Sequence, residues 1–366
     1  MKRIYLFVAA STLAAALFHG LALGRWLPWH VAYSDVLAFS SRALAPGFAY
    51  VDKQIEYPVL TGVFIDLAGK LGVNRYGYYA VSALGLMAAA LGTTYFLLKL
   101  AGEEGKRRLV WLWALAPSML LFSVYNWDML AIFAGVVALY CIKKDRDYWA
   151  AFFIAIGFSL KFFPVLFLAP LLLRRVEWRR CIAIGGIFGA TALLANIGFM
   201  YAHFDGWAYF FKLNQMRSSN PDSIWTVIRF LFPSFQSVPA INTVSFVAFA
   251  GSAGYFLWCF RRADPLRLCF GLTLLFLLFN KVFSPQYLLW LLPFFAVYGT
   301  QEKWFYTLEL ANIGALYFAL RWFLVERTMH YFYWMAPFVV LRHIALIAVL
   351  HGLITDMKKT SSARQS

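Results

Sequence analysis

The chain alternates long apolar runs with short polar breaks from end to end. A helix needs about 20 apolar residues to cross about 30 Å of hydrocarbon, because each residue rises about 1.5 Å. Runs of that kind, some short and paired, fall at residues 4–24, 77–100, 108–125, 127–142, 147–161, 162–174, 181–202, 240–260, 266–280, 286–300, 304–325 and 335–355. The pattern predicts an all-α fold, a polytopic transmembrane helical bundle of about 10–13 spans. It reads as one membrane domain over residues 1–356, with a disordered cytoplasmic tail at 357–366.

Composition makes lipid the solvent. The chain is 62% hydrophobic and 14% charged, whereas soluble domains sit near half apolar and about a quarter charged. The formal net charge of +16 would suggest nucleic acid in a soluble protein. In a membrane protein, basic cytoplasmic turns explain it more simply, and no nucleic-acid partner is expected. Lys2 and Arg3 before an apolar run allow a signal peptide, but the rest of the chain is as apolar, so a retained first helix is the expectation. The four cysteines, Cys141, Cys181, Cys259 and Cys269, show no CxxC spacing, which predicts neither a disulfide framework nor a metal site.

Lys and Arg orient the bundle. With both termini cytoplasmic, the turns at 103–108, 143–147, 174–180, 261–267 and 301–303 all face the cytoplasm and all carry Lys or Arg. The apolar stretch 56–72 would invert everything downstream if it spanned, so it is placed outside as a short interfacial helix. Two long extracytoplasmic loops remain, at about 25–76 and 203–239, both rich in Trp, Tyr and Phe, residues that favour the membrane–water boundary.

Charges at membrane depth are expensive and mark function. The topology gathers Asp35, Glu56, Asp128, Lys161, Arg217, Lys281, Arg321, Glu326 and His330 on the outer side. Asp35, in YSDV, has a carboxylate able to deprotonate a hydroxyl, while Ser34 or Asp35 could equally cap the helix that follows. Lys161 in GFSLKFFPV and Lys281 in NKVFSPQ each lie between two apolar runs and shortly precede a proline. Two such turns on one side suggest a paired cationic site for a lipid phosphate, with headgroup anchoring as the competing reading. Asp128 is a helix cap or a partner for one of the lysines, and His330 among aromatics reads as structural. No P-loop, GxGxxG or HExxH occurs, so neither a nucleotide cofactor nor zinc is expected.

The ordered motifs YSDV, YVDKQIEYPVLTG, YNWDMLA, GFSLKFFPVLFLAPLLL and NKVFSPQYLLWLLP resemble glycosyltransferase family 87, polyprenol-phosphate-mannose-dependent mannosyltransferases of the C-type glycosyltransferase fold. The resemblance implies a sugar donor on polyprenyl phosphate, used at the extracytoplasmic face of the cell membrane, and no cofactor. It implies an acidic base in the first outer loop, where Asp35 matches, and inversion at the anomeric carbon, so that a β-linked phosphomannose gives an α-mannoside. The acceptor is then an envelope glycolipid or polysaccharide. Charge and topology assign the donor phosphate to Lys161 and Lys281, with Arg217 and His330 in reserve. Glu56, Tyr57, Asp128, Gln286 and Tyr287, from the same motifs, are expected to support the acceptor or the site's structure. The 203–239 loop matches no motif of the family. A transporter or flippase of a lipid-linked saccharide is the alternative, and it should show internal repeats, which are not evident. A structural partner of another envelope enzyme would explain the helices but not the motifs.

Overall fold

The computed structural model describes residues 2–362 except 176, 234, 300 and 326–328. Among them there is no β-strand, as the all-α expectation requires. The helices of eight residues or more are α1 (Lys2–Gly20), α2 (Val59–Gly72), α3 (Arg75–Ala101), α4 (Asp128–Lys143), α5 (Asp147–Leu160), α6 (Trp178–Ala202), α7 (Phe204–Met216), α8 (Ile224–Leu231), α9 (Val238–Phe260), α10 (Pro265–Phe279), α11 (Glu302–Leu324) and α12 (Met329–Ser362). Five of them, α1, α3, α6, α9 and α12, are long and apolar enough to cross a membrane.

Some of the other expected spans are divided, by proline or by π-type geometry. The stretch 108–125 becomes a π-helical segment, Val110–Ala114, and a short helix opened by Pro117. The run 162–174 is a 3-10 turn, Phe163–Phe167, followed by Leu168–Leu173, with Pro164 and Pro170 in it. Proline cannot donate to the helical ladder, so new segments open at Pro117 and around Pro164, while Pro170 is accommodated in the first turn of its short helix. The stretch 56–72 yields a 14-residue helix, about 21 Å long and short of a span. It does not merely lie on a surface. It packs on α3 and α5, and its Asp66 is held by Lys53 at 2.6 Å and Lys70 at 2.7 Å. The tail departs from expectation, since α12 continues to Ser362 and Met357 is buried.

Helices α3, α4, α5 and α6 pack in succession, α9 lies on α10, and α11 pairs with α12. The ends of α4 and α5, the turn after α10 and the loop after α7 meet at one end of this bundle, around a single cavity.

Candidate active site

The cavity has a volume of about 370 Å³ and takes its walls from seven separated stretches of chain, the last of them Leu316–Phe323 on α11. The first supplies Tyr33 and Asp35, the second Glu56 and Tyr57, and the third Tyr125 and Asn126. Lys161 follows, then the loop Arg217–Asp222, then Ser284–Tyr287. All five of the sequence motifs thus converge on one space.

Asp35 opens the short helix Asp35–Ala38, and Ser34 caps it, accepting from the Leu37 amide at 3.2 Å. Ser34 therefore makes the cap, and the Asp35 carboxylate is left to the cavity. Its Oδ1 accepts from the Tyr33 hydroxyl at 2.8 Å. Its Oδ2 accepts from Asn126 Nδ2 at 2.5 Å and faces the Tyr57 hydroxyl at 3.5 Å. Asn126 also bridges to Tyr57 at 3.0 Å. The Asp35 backbone is pinned as well, its amide donating to the Tyr125 carbonyl at 2.9 Å. Removal from water pushes the Asp35 carboxyl above the usual carboxylate range, with Glu56 adding repulsion. The Tyr33 and Asn126 hydrogen bonds and the Lys161 charge oppose that rise. A fixed carboxylate with raised basicity is the form a general base takes.

Lys161 ends α5 in extended geometry, its amide still bonded to Gly157 at 2.8 Å. Its ammonium lies 3.2 Å from Asp128, which opens α4 and is fully buried. Trp290 Nε1 donates to the other Asp128 oxygen at 2.8 Å. The same ammonium lies 5.0 Å from the centre of the Tyr57 ring and 5.8 Å from that of Tyr287, a cation–π setting. Asp128 is therefore the partner of Lys161, one of the two roles expected for it.

The remaining assignments divide. Arg217 lines the cavity, held by Asn220 at 2.7 Å. Glu56 and Tyr57 line it, and Glu56 faces Arg42 at 3.6 Å. Gln286 and Tyr287 line it too, and Gln286 Oε1 is buried without a hydrogen-bond partner. Lys281 does not. Its ammonium donates to the Asn214 carbonyl at 2.8 Å and the Arg217 carbonyl at 2.7 Å, so it closes the end of α7 rather than facing the cavity. Burial, with Arg217 nearby, lowers its pKa to about 8. His330 is exposed on the first turn of α12, against Tyr331 and Trp334, away from the cavity walls. Arg321 lies over Tyr317 at 4.9 Å, and Glu326 lies outside the described residues.

Sequence reasoning passed over Tyr33, Asn126, Asp222 and Arg342. Arg342 is fully buried, 3.4 Å from Asp222 and 2.7 Å from Asn312 Oδ1. Asn312 in turn donates to the Pro285 carbonyl at 2.9 Å. One guanidinium thus ties the Arg217–Asp222 loop and the SPQY turn to the helix pair α11 and α12. An arginine in the midst of an apolar run was the available signal.

Beside the polar cavity runs an apolar groove of about 270 Å³, lined by Phe158, Phe162, Leu193, Trp207, Phe210 and Phe211 among others. Tyr57 borders both spaces. Adjacent residues face opposite ways: Lys161 lines the cavity and Phe162 the groove.

Known proteins resemble the chain over much of its length. GPI mannosyltransferase 1 of Candida albicans is 22% identical over 360 residues, covering 88% of this chain and 87% of that protein. GPI mannosyltransferase 1 of Kluyveromyces lactis is 26% identical over 205 residues, and there the chain spans only about half, 51%, of its relative's length. Among solved structures, ArnT from Cupriavidus metallidurans bound to undecaprenyl phosphate aligns with 99% of this chain and 79% of its own at 12% identity and a TM-score of 0.48. The sequence model of glycosyltransferase family 87 matches residues 56–285, a stretch that contains Glu56, Tyr57, Asn126, Asp128, Lys161, Arg217 and Lys281 and ends on Pro285. With most of its length inside that match, the chain belongs to glycosyltransferase family 87 and is a membrane glycosyltransferase.

Proposed function

We propose that this enzyme transfers mannose from a polyprenyl-phosphate donor to an envelope glycolipid or polysaccharide at the extracytoplasmic face, with inversion. The observation that carries the reading is the junction at Tyr57. A polar cavity holding one carboxylate base and two cations adjoins an apolar groove, a pair of spaces suited to a charged headgroup on a hydrocarbon tail. The mannosyltransferase relatives favour mannose as the sugar.

In this reading Asp35 Oδ2 takes the proton of the acceptor hydroxyl as its oxygen bonds to the anomeric carbon. The bond from that carbon to the phosphate oxygen breaks, and the lipid phosphate leaves with the electron pair. Tyr33 and Asn126 hold the carboxylate in place. Lys161 and Arg217 stabilise the charge that grows on the leaving phosphate, where fixed cations favour the transition state over the ground state. Lys281 acts at one remove, by closing the helix end that presents Arg217. Glu56, Gln286 and Tyr287 are placed to meet sugar hydroxyls, and Gln286 offers an acceptor without a partner.

The test is purified enzyme with radiolabelled polyprenyl-phosphate-mannose and a panel of envelope lipids. Labelled glycolipid is the expected product. Donor moved across reconstituted vesicles with its sugar still attached would favour the flippase instead.

A further inference from the structure

A second cavity is larger than the one that holds Asp35. It measures about 940 Å³ and lies where α9 turns into α10, with the end of α12 and Lys143 of α4 completing it. The two cavities are joined by α10. Arg267 in its first turn lines the large one, and its far end leads into the Lys281 turn beside Arg217. Fifteen residues separate those ends, about 20 Å of helix.

The lining is cationic. Lys143, Arg261, Arg262 and Arg267 face a single carboxylate, Asp264. That carboxylate accepts from the Tyr298 hydroxyl at 2.6 Å. Among the described residues none of the four cations is within ion-pair distance of an acid. Arg267 is oriented by the Tyr298 ring at 5.4 Å and by Thr360 at 3.3 Å. By contrast, the neighbouring basic turn at Arg174–Arg180 is neutralised by Asp145 and Asp147. Positive turns alone therefore do not account for this cavity, because the acids of one basic turn are paired with its cations while Asp264, in the other, is engaged by Tyr298. Tyr255 and Trp258, exposed on the last turns of α9, belong to the residue types that settle at the headgroup level.

We propose that this cavity binds a phosphate-bearing headgroup, drawn from anionic phospholipid of the leaflet opposite the active site. Guanidinium groups match phosphate oxygens in geometry as well as charge. The volume accommodates a headgroup with its glycerol, far more than a bare ion. In the orientation given by the basic turns this leaflet is cytoplasmic, the side on which anionic lipid concentrates.

The probe is the whole enzyme in detergent, titrated with phosphatidylglycerol or phosphatidylcholine and read by native mass spectrometry. Phosphatidylglycerol should be retained in preference to phosphatidylcholine. The Arg261→Gln/Arg262→Gln pair, both exposed, should weaken that retention on the order of 30-fold. Arg262→Lys, which keeps the charge, should retain most of it. Displacement of phosphatidylglycerol by low-millimolar inorganic phosphate would uphold the site but assign it to a soluble phosphate compound, whereas a lipid site resists such competition. Equal retention of the two lipids, or unchanged retention by the double variant, would overturn the proposal.

Discussion

The Lys161 ammonium sits 3.2 Å from the Asp128 carboxylate, with side-chain exposures of 9% and 0%. The pair is therefore buried, and neither charge can be removed without stranding the other. This changes how the role of Lys161 is tested. Lys161→Met alone leaves Asp128 uncompensated and should destabilise the protein by about 3–5 kcal/mol. Activity lost in that variant says nothing about phosphate. Asp128→Asn/Lys161→Met removes both charges and should recover most of the stability, while transfer stays down by about two to three decades, or roughly 2–4 kcal/mol of transition-state stabilisation. Thermal unfolding and transfer rate per folded protein separate the two effects. A double variant that regains the parental rate would end the phosphate role.

Asp35→Asn should abolish transfer, on the order of 10²–10⁴-fold, by removing the base. It should not destabilise the fold. The Asp35 carboxyl titrates above its usual value in the native state, so the native state binds more protons than the unfolded chain in that window. Stability from this group is fully present below the unfolded value and is lost as pH rises through the raised one. At neutral pH the neutral amide should therefore be as stable as the parent or more so. The parental rate should rise with pH along an acid limb whose midpoint lies above the ordinary carboxylate range. A well-folded Asp35→Asn enzyme with normal turnover would remove the base from this position.

Lys281 offers a test through pH alone. Its native pKa is lowered from 10.5 to about 8, so the unfolded chain binds the extra proton between those values and stability should climb across that interval. The neutral amine keeps two N–H groups, enough for the Asn214 and Arg217 carbonyls it serves. Transfer should therefore pass through pH 8 without a fall attributable to Lys281. Lys281→Met should lose rate by loosening the Arg217 loop, and Lys281→Met/Arg217→Met should be clearly less than additive. A basic limb near pH 8 that vanishes in Lys281→Met would instead place the ammonium on the phosphate.

Arg342→Met should destabilise by about 3–5 kcal/mol, because Asp222 is left buried beside it without a counter-charge. Asp222→Asn in the same chain should return much of that loss. The positioning role predicts more. Even where stability is restored, the loop and the SPQY turn lose their shared anchor, so KM for donor should rise. Donor KM unchanged in the rescued double variant would reduce Arg342 to a structural charge.

Much of the site was legible because its residues are charged where the surroundings are apolar. Asp35, Lys161 and Arg217 stand out on hydropathy, and the YSDV and GFSLKFFPV motifs carry the first two. Asn126 stayed hidden beside Asp128 because a neutral amide costs little in a hydropathy profile, and its bond to Asp35 joins positions 91 apart in the chain. Lys281 misled for the converse reason. Its charge was as conspicuous as that of Lys161, but nothing local reveals that two carbonyls at the end of α7 would claim it. The helices were legible as apolar runs. Their breaks at Pro117 and Pro164 were visible residue by residue, yet only packing decides whether a short helix stands alone or continues its neighbour.

Sidedness can be read with two thiols. Ser41 is exposed in the short helix Ser40–Leu44, next to Arg42, which faces Glu56 at the rim of the Asp35 cavity. Cys259 is exposed and lines the basic cavity at the other end of α10. In a chain stripped of its four cysteines, Ser41→Cys should react with a membrane-impermeant maleimide in intact cells. A chain keeping Cys259 alone should react only after permeabilisation, since the arginine-rich turn beside it belongs on the cytoplasmic side. The opposite pattern would invert the protein and put the Asp35 cavity in the cytoplasm, where a donor presented at the outer face could not reach it. Labelling of both thiols from one side would put the two cavities in one compartment, against α9, which is long and apolar enough to cross a membrane and ends at the basic cavity.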